Sequence, residues 1–175
     1  MLIALLTMTR AAHGAVPEYE LKAVLIYKVA KFVRWPEGTF PAAGSNLHLC
    51  VLGHDDFGPS LDAMTGQKLQ GQVVSVERLP GNPPLAVNCQ IIFVSRSESA
   101  NLPALLGSLA SQPVLTISDI EGFANQGGMI ELATTDSKIH FQINPAASRR
   151  AGLEIGAQLL QLATLVPDQR TGVKP

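Results

Sequence analysis

Between positions 18 and 34, apolar side chains recur three and four residues apart. This period predicts an amphipathic helix, and Trp35-Pro36 ends it. Lys28, Lys31 and Arg34 lie in the last two predicted turns, where cations complement the negative end of the helix dipole. A basic surface that faces a partner or a membrane is the alternative interpretation of these three charges.

The middle of the chain consists of short apolar runs that are bounded by glycine, proline and polar residues. Such runs are typical of buried strands, and helical spacing separates them at 59–64 and 102–109. The predicted strands are 47–52, 73–79, 90–94 and 113–117. Two further strands, 129–133 and 138–143, are joined by Thr134-Thr135-Asp136-Ser137, which predicts a hairpin.

A long helix is predicted to close the chain. Asn144 is suited to its N-cap and Pro145 to its first position, so it would run to about Val166. Between Gly152 and Val166 its strongly polar residues form one narrow stripe, and the rest of its circumference is apolar. We therefore expect this helix to be buried on several sides, within one monomer or against another subunit.

Strands that alternate with helices predict an α/β fold. The expected architecture is a mostly parallel sheet flanked by helices on both faces, with an antiparallel pair near the C-terminus. No repeat, linker or low-complexity segment divides the sequence, so residues 15–175 are expected to form a single domain.

The first 14 residues have the order of a signal peptide. The apolar run from Leu2 to Met8 is too short to span a bilayer, and Ala12-His13-Gly14 has small side chains at the positions that a signal peptidase recognises. No lysine or arginine precedes Leu2, so the basic start of such a peptide would have to lie upstream. A plain N-terminal tail is the alternative. Export to the periplasm is the prediction.

Composition excludes some partners and suggests a disulfide. Of the 175 residues, 46% are hydrophobic, which is enough to form a globular core. The formal charge of -1 disfavours binding to nucleic acid. The two cysteines, Cys50 and Cys89, are an even number without metal-site spacing, so in an oxidising compartment a disulfide is expected. Two buried reduced thiols are the alternative in the cytosol.

The sequence motifs of common enzymes are missing. Gly66 and Gly71 have the spacing of a phosphate-binding loop, but Gln72-Val73 stands where that loop needs a lysine and a hydroxyl side chain. His54-Asp55-Asp56 has metal-binding atoms, although a polar loop is the favoured interpretation because adjacent residues rarely converge on one ion. We therefore predict no catalytic residues, no metal and no cofactor.

Open parallel sheets bind ligands at the carboxyl ends of their strands. Three polar segments follow predicted strands at such ends: Gly53-His54-Asp55, Ser95-Arg96-Ser97 and Ser118-Asp119. A small-molecule pocket at this edge is therefore a hypothesis that rests on the architecture.

Several segments, taken together and in order, resemble the YfiR family, and they span nearly the whole chain after residue 14. They are Lys22-Ala23-Val24-Leu25, Ala30-Lys31-Phe32-Val33-Arg34-Trp35-Pro36, Leu49-Cys50-Val51-Leu52-Gly53, Asp56-Phe57-Gly58, Cys89-Gln90-Ile91-Ile92-Phe93-Val94-Ser95-Arg96-Ser97-Glu98, Pro113-Val114-Leu115-Thr116-Ile117-Ser118-Asp119, Gly122-Phe123-Ala124, Gly127-Gly128-Met129-Ile130, and Asn144 with Arg150-Ala151-Gly152-Leu153.

The resemblance implies a periplasmic, commonly dimeric α/β protein. Such a protein binds the periplasmic part of an inner-membrane diguanylate cyclase (YfiN-like) and keeps it inactive, and an outer-membrane lipoprotein (YfiB-like) can sequester it. Cys50 and Cys89 match the positions of a family disulfide, whereas a second cysteine pair found in some relatives is absent from this sequence. The candidate residues for binding a partner or ligand are Trp35, His54, Arg96, Asp119 and Arg150.

Two hypotheses for function result. The first is a homodimeric periplasmic repressor that lowers cyclic di-GMP, and with it biofilm formation, by binding a cyclase. The second is a periplasmic sensor or solute-binding protein that holds a small ligand in the strand-end loops. An enzyme ranks third because no arrangement of acid, base and nucleophile is visible in the sequence.

Overall fold

The computed structural model describes residues 17–81, 88–136 and 138–167. The predicted signal peptide, residues 1–14, lies outside these ranges. Within them the chain forms an α/β fold, and no helix there is both long and apolar enough to cross a bilayer.

The strands are β1 (Val33–Arg34), β2 (Asn46–Leu52), β3 (Lys68–Leu69), β4 (Gln72–Leu79), β5 (Ile91–Val94), β6 (Leu115–Ser118), β7 (Ile130–Thr135), β8 (Lys138–Ile143), β9 (Glu154–Ile155) and β10 (Thr164–Leu165). The helices are α1 (Glu18–Ala30), α2 (Pro59–Asp62), α3 (Leu102–Leu109), α4 (Pro145–Arg150) and α5 (Ala157–Gln161), and a 3-10 helix at Arg96–Asn101 precedes α3.

Among the described residues, eight strands form one sheet in the order β10-β8-β7-β6-β5-β2-β4-β3. The neighbours from β7 through β6, β5 and β2 to β4 are parallel, as are β10 and β8. Strands β7 and β8 form the antiparallel pair near the C-terminus, and β3 is antiparallel to β4. The predicted fold class is therefore confirmed.

The central strands are buried on both faces, which explains their continuously apolar sequences. In β2, Leu49 and Val51 face a core that α1 covers, whereas Cys50 and Leu52 face a second core beneath α3. The strand at 91–94 alternates in the same way. Helices on both faces therefore follow from the strand composition.

Most local predictions are confirmed to within two residues. The hairpin of β7 and β8 is registered from Ile130 opposite Ile143 to Thr135 opposite Lys138. Asn144 caps α4, since its side chain accepts a hydrogen bond of 2.9 Å from the backbone N–H of Ala147.

Two helix predictions are wrong. The first helix ends at Ala30 rather than Arg34, and the long C-terminal helix to Val166 does not form. Helix α4 stops at Arg150, the chain turns at Gly152 with a φ of 73°, and the segment predicted to continue the helix contains β9, α5 and β10. Both errors have one cause, because β1 and β9 pair antiparallel, with Val33 opposite Ile155. Long-range pairing here overrides the local helical pattern.

A disulfide joins Cys50 in β2 to Cys89, two residues before β5, with Cα atoms 6.0 Å apart. Both residues are buried in the core beneath α3. The bond ties two neighbouring parallel strands and closes a loop of 39 residues. The alternative of two reduced thiols does not apply to this structure.

We predict that the Cys50→Ala/Cys89→Ala variant is less stable by about 4 kcal/mol, because the open loop regains chain entropy in the unfolded state. Urea unfolding monitored by circular dichroism measures the change. Dithiothreitol should destabilise the wild type to the level of the variant and leave the variant unchanged. Equal stability of wild type and variant in oxidising buffer would contradict the prediction.

Candidate functional site

A buried ion pair joins α1 to the end of β6. The Nζ of Lys22 lies 2.7 Å from Oδ2 of Asp119, and neither side chain is exposed. Lys22 shares the inward face of α1 with Ile26 and Val29, and Asp119 is the first residue after β6. The two opposite charges are buried together, and each supplies the partner that a charge needs when it is removed from water.

Two further side chains of α1 complete the surroundings of the pair. Glu18, one turn before Lys22, forms a second salt bridge with its Nζ. The hydroxyl of Tyr19 donates a hydrogen bond of 2.8 Å to Oδ2 of Asp119, and the Tyr19 ring centroid lies 4.4 Å from Nζ of Lys22. The lysine is therefore held by two carboxylates and an aromatic face.

The pKa values of these neighbours respond to the pair. The hydrogen bond from Lys22 lowers the pKa of Glu18, assisted by the Thr134 hydroxyl and opposed by partial burial. Burial, followed by the hydrogen bond to Asp119, raises the pKa of Tyr19. Tyr19 therefore keeps its proton at physiological pH and remains a donor to Asp119.

Arg96 covers the pair on the solvent side. Its Nη2 lies 3.3 Å from Oδ2 of Asp119, and its Nε donates to the Asp119 carbonyl at 3.4 Å. The Arg96 side chain is 58% exposed and lies on a cleft of about 660 Å³ that Ser99, Glu121, Thr134 and Gln142 also line. The second carboxylate oxygen of Asp119, Oδ1, is buried and has no hydrogen-bond partner among the described residues.

The strand-end loops are fastened to one another by serine hydroxyls. Ser95 donates to the His54 carbonyl, and the His54 N–H donates to Oγ of Ser97 at 3.0 Å. Ser118 donates to the Val94 carbonyl at 2.6 Å. Gly53, with a φ of 92°, permits the close approach, because a Cβ there would overlap the Ser97 hydroxyl.

Asp55 binds to its own loop and to the neighbouring strand β4. Its Oδ1 accepts the Phe57 N–H at 2.8 Å, and its Oδ2 accepts Nε of Arg78 at 2.8 Å. Arg78 also donates to Asp62 at 2.6 Å, and these two carboxylates raise its pKa. Both Asp55 oxygens are thus used internally, which favours the polar-loop interpretation. No cluster of three or more His, Cys, Asp or Glu side chains within the described ranges is arranged to hold a metal ion.

Glu131 fixes the loop that follows β6. It is 1% exposed, and its two oxygens accept hydrogen bonds of 3.1 Å from the N–H groups of Gly122 and Ala124. The carboxylate therefore gives the 120–124 segment a fixed path beside the cleft.

The structure brings some of the predicted site residues together and places others elsewhere. Arg96 and Asp119 are in contact. His54 lies in the adjoining loop, exposed, with its Nε2 3.5 Å from Asp56. Trp35 packs edge-on against Phe40, and Arg150 ends α4 beside a small hollow that α3, α4 and the loop before β7 line. A role in binding stays a prediction for all five.

Sequence reasoning missed Lys22, Glu18 and Tyr19 as parts of the site. The signal was present, because Lys22 precedes Ile26 and Val29 by four and seven residues and so falls on the buried stripe of the predicted helix. A lysine at such a position requires a partner of opposite charge.

A model of the YfiR/HmsC-like family matches residues 19–164. The matched range begins at Tyr19, so it includes Lys22, Asp119, Arg96 and the disulfide. It ends within β10, at the last strand of the sheet.

We predict that Lys22→Met destabilises the protein by about 3–5 kcal/mol, because Asp119 then remains buried without its main counter-charge. Urea unfolding at neutral pH measures the loss. The double variant Lys22→Met/Asp119→Leu should recover more than half of it. Lys68→Met, at an exposed lysine of β3, serves as the control. A loss no larger than that of the control would contradict the role of the pair.

Glu18 should make stability depend on pH in the acid range. Its pKa in the folded state is lowered from 4.5, so its stabilising contribution is present above that pH and is lost as the pH falls below it. The side chain is 42% exposed, so we expect a contribution below about 1 kcal/mol.

Urea unfolding of wild type and Glu18→Gln at pH 7 and at pH 3 tests this expectation. The variant should be less stable at pH 7, and its difference from wild type should become smaller at pH 3. Glu37→Gln, at an exposed glutamate outside the helices, should show the wild-type dependence. A constant difference between wild type and Glu18→Gln would exclude a titrating contribution from Glu18.

Proposed function

The chain belongs to the YfiR/HmsC-like family, and from this premise we propose that it binds the periplasmic part of an inner-membrane diguanylate cyclase and holds that enzyme inactive. The family consists of periplasmic, non-enzymatic regulators of diguanylate cyclase signalling. The observation that carries the proposal is the length of the match, which takes in residues 19–164.

Two structural features support a function through surface contact. Leu21 and Val24, three residues apart on the outer face of α1, are 39% and 44% exposed, and apolar side chains grouped on a surface are typical of protein interfaces. In addition, the hydroxyls of Ser95 and Ser118 and both oxygens of Asp55 bind to the chain itself. Polar groups used in this way hold loops in place.

The remaining parts of the proposal concern location and partners. The disulfide of Cys50 and Cys89 suits the oxidising periplasm, to which a signal peptide at residues 1–14 would direct the chain. Two copies pair, and an outer-membrane lipoprotein sequesters the repressor when the cyclase is to be active. Repression lowers cyclic di-GMP and reduces biofilm formation.

A second candidate function is the binding of a small ligand. The cleft beside Arg96 favours it, since its volume of about 660 Å³ falls in the range of small-molecule sites and its walls include Thr134 and Gln142. A saturable ligand should raise the melting temperature, and Arg96→Ala should reduce that rise. Unchanged melting with a panel of periplasmic metabolites would count against this function.

Deletion of the gene in its host tests the regulatory function. We expect cyclic di-GMP, measured by mass spectrometry, to rise several-fold in the deletion strain and to stay at the wild-type level when the partner cyclase gene is also deleted. The exported chain should restore repression.

A matched control expresses residues 15–175 without the leader, so that the protein stays in the cytoplasm. This form should leave cyclic di-GMP high. Unchanged cyclic di-GMP after deletion, or full repression by the cytoplasmic form, would refute periplasmic inhibition of the cyclase.

A further inference from the structure

The outward face of α1 has an ordered arrangement of charge and apolar surface. Glu20, Leu21, Val24 and Lys28 lie on the side of the helix opposite the buried Lys22 and are all exposed. At about 100° per residue these four positions fall within an arc of about 100°. Acid therefore stands at one end of the face, base at the other, and apolar side chains between them.

Both charges on this face lack a partner in the described chain. No salt bridge or side-chain hydrogen bond there involves Glu20 or Lys28. Neighbouring charges are engaged, since Glu18 binds Lys22 and the Nζ of Lys31 lies 4.6 Å from the Tyr27 ring centroid. Leu21 and Val24 remain 39% and 44% exposed between the unpaired charges.

We propose that the outward face of α1 binds the same face of a second copy, with the two helices antiparallel and the two-fold axis at Val24. Glu20 and Lys28 are each four residues from Val24, so the axis places Glu20 of each protomer opposite Lys28 of the other. With a rise of about 1.5 Å per residue, the two salt bridges would lie about 12 Å apart. The Val24 and Leu21 side chains of both copies fill the space between them.

A second copy fits this face because a two-fold interface must be complementary to itself. The positions that carry opposite charges are symmetric about Val24, which is the condition for two identical pairs. The antiparallel arrangement also sets the positive end of each helix dipole beside the negative end of the other. A partner of different sequence has no need of this symmetry.

The proposal adds an interface to the pairing of two copies in the proposed function, and it is tested on purified protein without any cyclase. Failure of cyclase inhibition would therefore leave it intact, and its own failure would leave cyclase inhibition open. One helix from each copy buries less than a standard interface, so we expect a weak dimer with a Kd in the micromolar range.

Sedimentation equilibrium of the oxidised protein over micromolar concentrations measures the association. Glu20→Lys alone sets two lysines against each other in each pair, and Lys28→Glu alone sets two glutamates together. Each should raise Kd by about tenfold or more through like-charge repulsion. The double variant Glu20→Lys/Lys28→Glu restores opposite charges and should return Kd toward the wild-type value.

Mixing the two single variants gives the sharpest test. One copy then has two lysines on the face and the other has two glutamates, so the mixture should form heterodimers although neither variant self-associates. Glu37→Lys, an exposed charge reversal elsewhere, should leave Kd unchanged. A wild type that stays monomeric, a dimer indifferent to both reversals, or a mixture that stays monomeric would each overturn the proposal.

Discussion

The buried pair of Lys22 and Asp119 is the constraint on which the rest of the arrangement depends. Removing two charges from water costs roughly several kcal/mol per ion, and good geometry with further hydrogen bonds is needed to offset that cost. Here Glu18 and Tyr19 supply those contacts from the same helix. A rotation of α1 about its axis would separate Lys22 from Asp119 and leave the buried carboxylate without its main counter-charge, so the pair, together with the buried Ile26 and Val29, fixes which face of α1 is buried.

The sheet edge that receives the pair is itself tightly connected. The hydroxyls of Ser95, after β5, and of Ser118, the last residue of β6, donate to backbone carbonyls of neighbouring segments, and Glu131 holds the 120–124 loop. On the opposite face, the disulfide ties β2 to the segment before β5. Asp119 therefore belongs to a fixed framework, and its ion pair with Lys22 fastens α1 to that framework beside the apolar packing of Ile26 and Val29.

Much of the fold could be predicted because strands, turns and helix caps depend on residues that are close together in the sequence. Strands buried on both faces have continuous apolar runs, and the cap at Asn144 depends on residues three positions away. The two wrong helices share one cause that is not local, the pairing of Val33–Arg34 with Glu154–Ile155. The sequence 152–166 has helical apolar spacing, but the N–H of Gly156 bonds to the Phe32 carbonyl at 2.7 Å, a contact between segments far apart in the chain.

The candidate site was predictable in part for the same reason. Arg96 and Asp119 were found because the strand-end rule depends only on strand order. Their partner Lys22 comes from a helix 97 residues away in sequence from Asp119, and only the topology of the sheet shows that α1 lies over this edge. Its position on the apolar stripe indicated burial, but the sequence could not say which acid would meet it.

Fixing α1 has a consequence for function. A helix held by a buried ion pair presents its outer face in one orientation. Because such a preorganised surface loses little conformational entropy on binding, it binds a partner with higher affinity. The polar groups of Ser95, Ser118 and Asp55 hold loops, whereas Leu21 and Val24 of α1 are exposed between two charges that have no salt bridge within the part of the chain that the structure describes. Polar groups that bind the chain itself, together with an exposed face on α1, favour binding to another protein. The buried ion pair keeps that face of α1 in one orientation.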